Sequence, residues 1–144
     1  MTNALGSVTS TVAVLVVTPP SSRLINLATR GSVGTGDRML IAGFFIQGTV
    51  PKTVLIRAVG PALGGFGVTG TLADPILDEN DNWGSGGDSA QIAAAGAAVG
   101  AFGLSAGSKD AVLLVTLSPG NYTAQVSGVG TFAGIALVEV YEVP

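Results

Sequence analysis

The sequence contains neither cysteine nor histidine among its 144 residues. Without cysteine the chain has no disulfides and no thiol catalysis, and without either residue it has no zinc site of the usual kind. The absence of histidine also excludes imidazole acid–base catalysis. No S-x-x-K motif is present to supply an activated serine. The sequence therefore predicts a protein that is not an enzyme.

Charged side chains are also scarce, at 10% of the chain, whereas soluble domains have about 25%. The hydrophobic fraction is 47% and the mean hydropathy is +0.59. Much of the surface must then be apolar or small, and large exposed apolar patches usually mark interaction sites. The composition favours a surface that packs against partners, the main one being other copies of this chain. The alternative is a secreted β domain covered by Ser, Thr and Gly.

The six basic residues are scattered along the chain, and the net charge is −3. Nucleic-acid binding requires a basic stripe, so no nucleic-acid partner is predicted. The longest strongly apolar run, from Met39 to Ile46, has the length of a strand and is too short to span a membrane as a helix. The N-terminus lacks the basic region of a signal peptide. We expect an extracellular or cell-surface protein whose signal was removed, or a chain cut from a longer one.

Twenty-two glycines and regularly recurring apolar runs predict an all-β antiparallel sandwich, jelly-roll or Ig-like, of about seven to nine strands. One short alanine-rich helix is predicted from Ala90 to Val99, with Asp88 or Ser89 as N-cap and Gly100 at its end. The predicted strands are Val8–Thr18, Arg23–Arg30, Arg38–Gln47, Thr53–Val59, Ala111–Leu117, Tyr122–Ser127 and Gly134–Val143, with a weaker one at Thr71–Leu77.

The apolar pattern also predicts which strand faces are covered. Tyr122, Ala124 and Val126 alternate with polar residues, as in a half-buried strand, and Ile25 with Leu27 follows the same pattern. The runs 39–46 and 112–115 are apolar on both faces. We expect a helix, a second sheet or a neighbouring subunit to cover both sides of these two runs.

The first predicted strand is unusual because its core, from Val12 to Val17, is apolar on both faces and is followed at once by Pro19-Pro20. A Pro-Pro pair is stiff and extended and carries no backbone donors. Residues 1–20 are therefore predicted to be a strand with a hinge, and residues 21–144 the sandwich domain. The strand is either an edge of its own sandwich or donated to a neighbour. The predicted assembly residues are Val12, Val14, Leu15, Val16, Val17, Pro19 and Pro20.

The best candidate ligand site is an acidic loop in which Asp74, Asp78 and Asp81 are candidate calcium ligands. The loop fails as an EF-hand because its glycine comes one position late and position twelve is Ser89. The competing interpretation is a set of Asx turns with Trp83 packed over them. No other cofactor is predicted.

Two further patterns point to structure rather than to catalysis. The G-x-G-x-x-G match at 65–70 is followed by Thr-Leu-Ala-Asp-Pro, which does not open the helix that a dinucleotide site needs. Arg57 lies between apolar neighbours in a predicted strand. We expect it to form a structural salt bridge with an acidic partner such as Asp74.

Several stretches together resemble a module found in large secreted or surface proteins of Verrucomicrobia-like and Planctomycete-like bacteria, where it often follows immunoglobulin-like repeats at the C-terminal end. They are residues 22–30 (SRLINLATR), 52–63 (KTVLIRAVGPAL), 66–75 (FGVTGTLADP), 80–84 (NDNWG), 107–111 (GSKDA) and 136–142 (ALVEVYE). The resemblance implies a non-catalytic β-sandwich and assigns no functional residue. The connection from Asp74-Pro75 to Asn80 is shorter than the family pattern, which implies a missing strand and an open edge.

These observations predict a structural subunit of a bacterial extracellular filament, tube or surface layer that assembles by strand donation. The alternative is a secreted adhesion or carbohydrate-binding module that recognises a surface glycan and is stabilised by calcium at the 74–83 loop.

Overall fold

The computed structural model describes residues 2–3, 6–7, 25–77, 80–85 and 88–144. Two antiparallel sheets and one short helix make up the sandwich, and neither sheet closes into a barrel. The predicted all-β sandwich is confirmed. The strands are β1 (Thr2–Asn3), β2 (Gly6–Ser7), β3 (Asn26–Val33), β4 (Leu40–Ile46), β5 (Lys52–Val59), β6 (Pro75–Leu77), β7 (Ala111–Leu117), β8 (Gly120–Gly128) and β9 (Gly134–Glu142). The α-helix α1 spans Ser89–Ala98, and a 3-10 helix spans Pro61–Phe66.

The larger sheet has four strands in the order β3-β9-β5-β7, and the smaller has three in the order β4-β8-β6. The strands β1 and β2 pair with each other. The main core lies between the two larger sheets, because alternate residues of β5 and β9 face the smaller sheet. Val54 and Val140 belong to this core, together with Ala42, Leu77 and Val126 from the facing strands.

A second layer covers the opposite face of the four-stranded sheet. Leu55, Val112 and Tyr141 pack there against Trp83 and against Ala95 of α1. Small side chains allow a helix to lie close to a sheet, and the alanine-rich sequence of α1 fits this role. The prediction that the run 112–115 is covered on both faces is therefore confirmed.

The corresponding prediction for the run 39–46 is wrong for one of its two faces. Ala42 and Ile46 point into the core, but Ile41 and Phe45 on the outer face are 53% and 63% exposed. The outer face of the smaller sheet has no second layer among the described residues. On β8 the predicted alternation is confirmed, since Ala124 and Val126 are buried whereas Thr123 and Gln125 are exposed.

The strand β3 is also more exposed than its pattern predicts. It pairs with β9 at one edge of the larger sheet. Ile25, just before it, and Leu27 within it remain 50% and 38% exposed. The predicted alternation assigns Ile25 and Leu27 to the correct face of the larger sheet. The smaller sheet, however, does not extend far enough to cover them.

Most element positions agree with the sequence-based expectations. The strand β7 has the predicted bounds, and α1 begins one residue earlier than predicted, after Asp88, whose side chain makes no capping hydrogen bond. The weak strand predicted at Thr71–Leu77 shortens to Pro75–Leu77. The predicted strand Val8–Thr18 lies outside the described residues.

Candidate functional site

A cleft of about 730 Å³ opens between the two sheets on the side where β3 and β4 form their edges. Its floor contains Val54 and Val140 of the main core, and its walls include Leu27 from β3 and Phe44 from β4. The remaining lining residues are Ile25, Asn26, Gly43, Phe45, Ile46, Gln47, Gly48, Lys52 and Glu142. Seven of the thirteen lining residues have apolar side chains, so the cleft can bind an apolar segment.

The register of the strands explains why the cleft is apolar. Leu27 pairs directly with Val140, and residues paired in this way project to the same face of a sheet. Leu27 therefore extends the inner face of the larger sheet beyond the edge of the smaller one. Opposite it, Phe44 stacks on Tyr122 of β8 with ring centroids 5.6 Å apart. The cleft is thus an uncovered continuation of the hydrophobic core.

Charged side chains are confined to one end of the cleft. The Nζ atom of Lys52 lies 2.9 Å from Oε1 of Glu142, and both side chains are partly exposed. The pair joins β5 to β9, which are neighbours in the larger sheet. An exposed ion pair of this kind contributes about 0–1 kcal/mol. It marks the polar rim of an otherwise apolar groove.

Both strands beside the cleft are edge strands in the part of the chain that the structure describes. The strand β3 pairs with β9 and β4 pairs with β8, and each has one further edge with no strand beside it. Such an edge presents backbone N–H and C=O groups that can pair with another strand. The cleft therefore combines an apolar interior with two backbone edges.

The predicted assembly residues cannot be compared directly with this cleft. Val12, Val14, Leu15, Val16, Val17, Pro19 and Pro20 all lie outside the described residues. The open edge expected from the short connection after Asp74-Pro75 is on β6, the other edge of the smaller sheet. The apolar cleft lies instead beside β4, at the opposite edge of the smaller sheet.

The acidic loop is organised around hydrogen bonds within the protein. Asp74 is buried and its Oδ2 accepts a hydrogen bond from the Nζ of Lys109. That hydrogen bond and the charge of Asp74 raise the pKa of Lys109 above its usual value. Asp81 is exposed, and Asp78 lies outside the described residues. The Oδ1 atom of Asn80 accepts a hydrogen bond from the backbone of Val112 at 3.2 Å.

Of the two candidate calcium ligands that the structure describes, Asp74 is buried and Asp81 is exposed, and the charges of both act on Lys109. In residues 25–77, 80–85 and 88–144, no three acidic side chains gather in a geometry suited to a metal ion. Trp83 is buried in the second core layer, as the Asx-turn interpretation expects.

Asp110 is a buried carboxylate that the sequence reasoning did not single out. Its Oδ1 accepts hydrogen bonds from the backbone N–H groups of Gly60 at 2.7 Å and Ala62 at 3.4 Å, and its Oδ2 accepts one from the hydroxyl of Ser108. These bonds join the end of β5 and the 3-10 helix to the start of β7. The Ser-x-Asp spacing at 108–110 indicates a local turn. The backbone donors of Gly60 and Ala62 are distant in the sequence, so their hydrogen bonds to Asp110 could not be read from it.

Arg57 forms the expected structural salt bridge, and its acidic partner is Glu139 rather than Asp74. The two residues face each other in the register of β5 and β9, with Arg57 Nε 3.4 Å from Glu139 Oε2. The guanidinium also lies 4.3 Å from the centre of the Phe102 ring. Tyr141 donates a 2.8 Å hydrogen bond to Glu139 Oε1. Burial first, and then this bond and the charge of Glu139, raise the pKa of Tyr141 to about 12.

A smaller cavity of about 180 Å³ lies between this cluster and α1. Arg57, Trp83 and Phe102 line it together with small apolar residues of the helix. The Nη2 atom of Arg57 and the Nε1 atom of Trp83 are buried without a hydrogen-bond partner among the described residues. Buried donors of this kind commonly bind ordered water. Apart from Arg57 and Trp83, the residues that line the cavity in the described part of the chain are apolar or glycine.

Comparison of the chain with protein-family models, curated proteins and solved structures finds no match. None of the helices in the described part of the chain is both long and apolar enough to cross a membrane.

Proposed function

We propose that the chain is a non-enzymatic structural subunit of an extracellular filament, tube or surface layer. Copies of the chain assemble when the segment from Val12 to Val17 of one subunit adds as a strand to another. The observation that carries this proposal is the apolar cleft between the edges of β3 and β4. The resemblance to modules of bacterial surface proteins implies the same extracellular setting.

The exposed apolar residues around β4 support self-assembly. Single exposed hydrophobic residues are normal on protein surfaces. Here, however, Ile41 and Phe45 project from the outer face of β4, while Ile25 and Leu27 line the cleft on its other side. The apolar surface therefore continues around one strand edge, and only 10% of the chain is charged. A patch of this kind is typical of an interaction surface.

The segment from Val12 to Val17 supplies a complementary feature. Its residues are β-branched or aliphatic and carry no charge, which favours an extended strand and makes exposure unfavourable. Strand addition provides backbone hydrogen bonds and buries alternate side chains at the same time. An edge strand beside an apolar groove can provide both the backbone hydrogen bonds and the apolar surroundings that the segment requires.

Electron microscopy of two N-terminal deletions tests the proposed function. The full chain is expected to form filaments, tubes or sheets, and a variant lacking residues 1–18 is expected to remain monomeric. A variant lacking only residues 1–7 keeps the apolar segment and serves as the control that should still assemble. Monodisperse particles of the full chain, or polymers of the 1–18 deletion, would contradict the proposal. Circular dichroism of each variant verifies that the sandwich has folded.

The alternative function, a calcium-stabilised adhesion or carbohydrate-binding module, receives less support from the geometry. The buried Asp74 is already hydrogen-bonded to Lys109, and no group of three acidic side chains among the described residues could hold a metal ion. No observation on the described surface favours a sugar site.

A further inference from the structure

We propose that the acceptor site for the donated strand is the free edge of β4, and that its occupant is the segment Val12–Val17 of a second copy of the chain. This inference rests on the proposed function and specifies where the subunits join. The donated strand would extend the smaller sheet from three strands to four, which matches the four strands of the larger sheet.

The size of the cleft agrees with an inserted strand. Six extended residues span about 20 Å, and alternate side chains project to one face. Three side chains of the segment would therefore enter the cleft, whose volume is about 730 Å³. An apolar cavity of about 150 Å³ holds a benzene molecule. The cleft thus has room for three aliphatic side chains and part of the accompanying backbone.

The residues beside the two available edges distinguish β4 from β3. On β4 both faces are apolar, with Phe44 and Ile46 on the inner face and Ile41 and Phe45 on the outer face. On β3 the outer face carries polar residues, including Asn26 and Arg30. Aromatic and β-branched side chains stabilise a sheet when they lie opposite each other on adjacent strands. A segment that is apolar on both faces therefore matches β4 better than β3.

The connection between the segment and the sandwich favours a second copy as the donor. Residues 18–24 join Val17 to Ile25, and Pro19-Pro20 lies near the start of this connection. A Pro-Pro pair favours an extended backbone and therefore disfavours a tight reversal of the chain at that point. A return within the same chain would need a reversal close to the two prolines, and the nearest edge would be the polar edge of β3. Addition to another subunit requires neither a reversal near the prolines nor the polar edge of β3.

Disulfide cross-linking in the full-length chain tests this site, and the natural absence of cysteine makes each introduced pair unambiguous. One set of chains carries Ala13→Cys or Val14→Cys, so that both faces of the segment are sampled. The second set carries Gly43→Cys on β4, where an added Cβ atom meets no other atom within 4 Å. The two sets are mixed, allowed to assemble and oxidised.

Two control positions measure the placement of the strand. Thr123 pairs directly with Gly43 but lies one strand further from the free edge, and Thr123→Cys controls for that separation. Neighbouring strands are about 4.8 Å apart. Disulfides require Cα separations of about 4.4–6.8 Å, so a strand added at β4 reaches position 43 and not position 123. Ala28→Cys on β3 tests the competing edge.

The expected result is a mixed dimer that forms with Gly43→Cys and forms poorly with Thr123→Cys and Ala28→Cys. Cross-linking to Ala28→Cys instead would overturn the assignment to β4. A cross-link that forms within single chains carrying both substitutions, at high dilution, would overturn the assignment to a second copy. If the chains still polymerise but position 43 does not cross-link, the acceptor site is wrong and the proposed function survives. If no polymers form at all, the proposed function fails as well.

Discussion

Arg57 and Glu139 lie directly opposite each other on β5 and β9, and both side chains are buried beneath the layer that contains α1. The two residues are 82 positions apart in the sequence, from 57 to 139. The pair ties together the two central strands of the larger sheet at the place where the second core layer packs. Its charges compensate each other in a region with little access to water.

Removing one member of this pair should strongly destabilise the fold. In Glu139→Ala the guanidinium of Arg57 would stay buried without its counter-charge, which costs about 3–5 kcal/mol of unfolding free energy. The double variant Arg57→Met with Glu139→Leu should recover most of this loss, because it removes both charges. Lys52→Met at the exposed pair with Glu142 serves as the control and should cost about 0–1 kcal/mol. Urea denaturation measures all three, and equal losses for the single and the double variant would contradict the account.

Asp110→Ala should also destabilise the protein, by about 1–3 kcal/mol, because it leaves the backbone donor of Gly60 buried without a partner. The matched control is Asp88→Ala. Asp88 is exposed and its side chain makes no capping bond to the helix, so its loss should change stability by at most about 0.5 kcal/mol. The comparison is made by urea denaturation. A loss at Asp88 as large as that at Asp110 would mean that the hydrogen bonds of the buried carboxylate are not the cause.

The raised pKa of Tyr141 predicts that the protein loses stability at alkaline pH. The folded-state pKa of this residue is raised to about 12, above the value near 10 of an unfolded chain. The folded state therefore holds the phenol proton more tightly, and this contribution is complete below about pH 10 and is lost as the pH rises through 12. Unfolding free energies measured across this range should fall more steeply for the native chain than for Tyr141→Phe. Identical slopes for the two proteins would contradict the assignment.

Calcium should leave the melting temperature unchanged, because Lys109 already neutralises the buried carboxylate of Asp74. Thermal melts with calcium and with a chelator measure this directly. A calcium-dependent increase that disappears in Asp81→Asn would favour the alternative adhesion function. The control is Asp37→Asn, an exposed carboxylate in the loop between β3 and β4.

Local patterns predicted the strands and the helix well, because apolar periodicity and residues such as Gly100, which follows the helix end, act over a few neighbours. The bounds of β7 and the alternation in β8 show this most clearly. Long-range partners were not predictable in the same way. The pairing of Arg57 with Glu139 depends on the register of two distant strands, and Asp110 binds backbone groups about 50 residues away. Neither relationship leaves a periodic signal in the sequence.

At the candidate site, too, the local pattern was predictable and the long-range arrangement was not. Apolar residues on both faces of β4 indicated that something must cover it, but not which face stays open. Phe45 is exposed because no second layer covers the outer face of the smaller sheet among the described residues, a property of the tertiary arrangement rather than of the local sequence. The cleft beside it could therefore be recognised only once both sheets were placed.

Sedimentation velocity of the full chain beside two phenylalanine variants tests the central claim most directly. Phe45 on β4 and Phe66 in the 3-10 helix are 63% and 64% exposed, so Phe45→Asp and Phe66→Asp place a charge at equally accessible positions. The native chain and Phe66→Asp are expected to form large assemblies, whereas Phe45→Asp is expected to sediment as a folded monomer. Assemblies of Phe45→Asp as large as those of the native chain, or a native chain that remains monomeric, would contradict it.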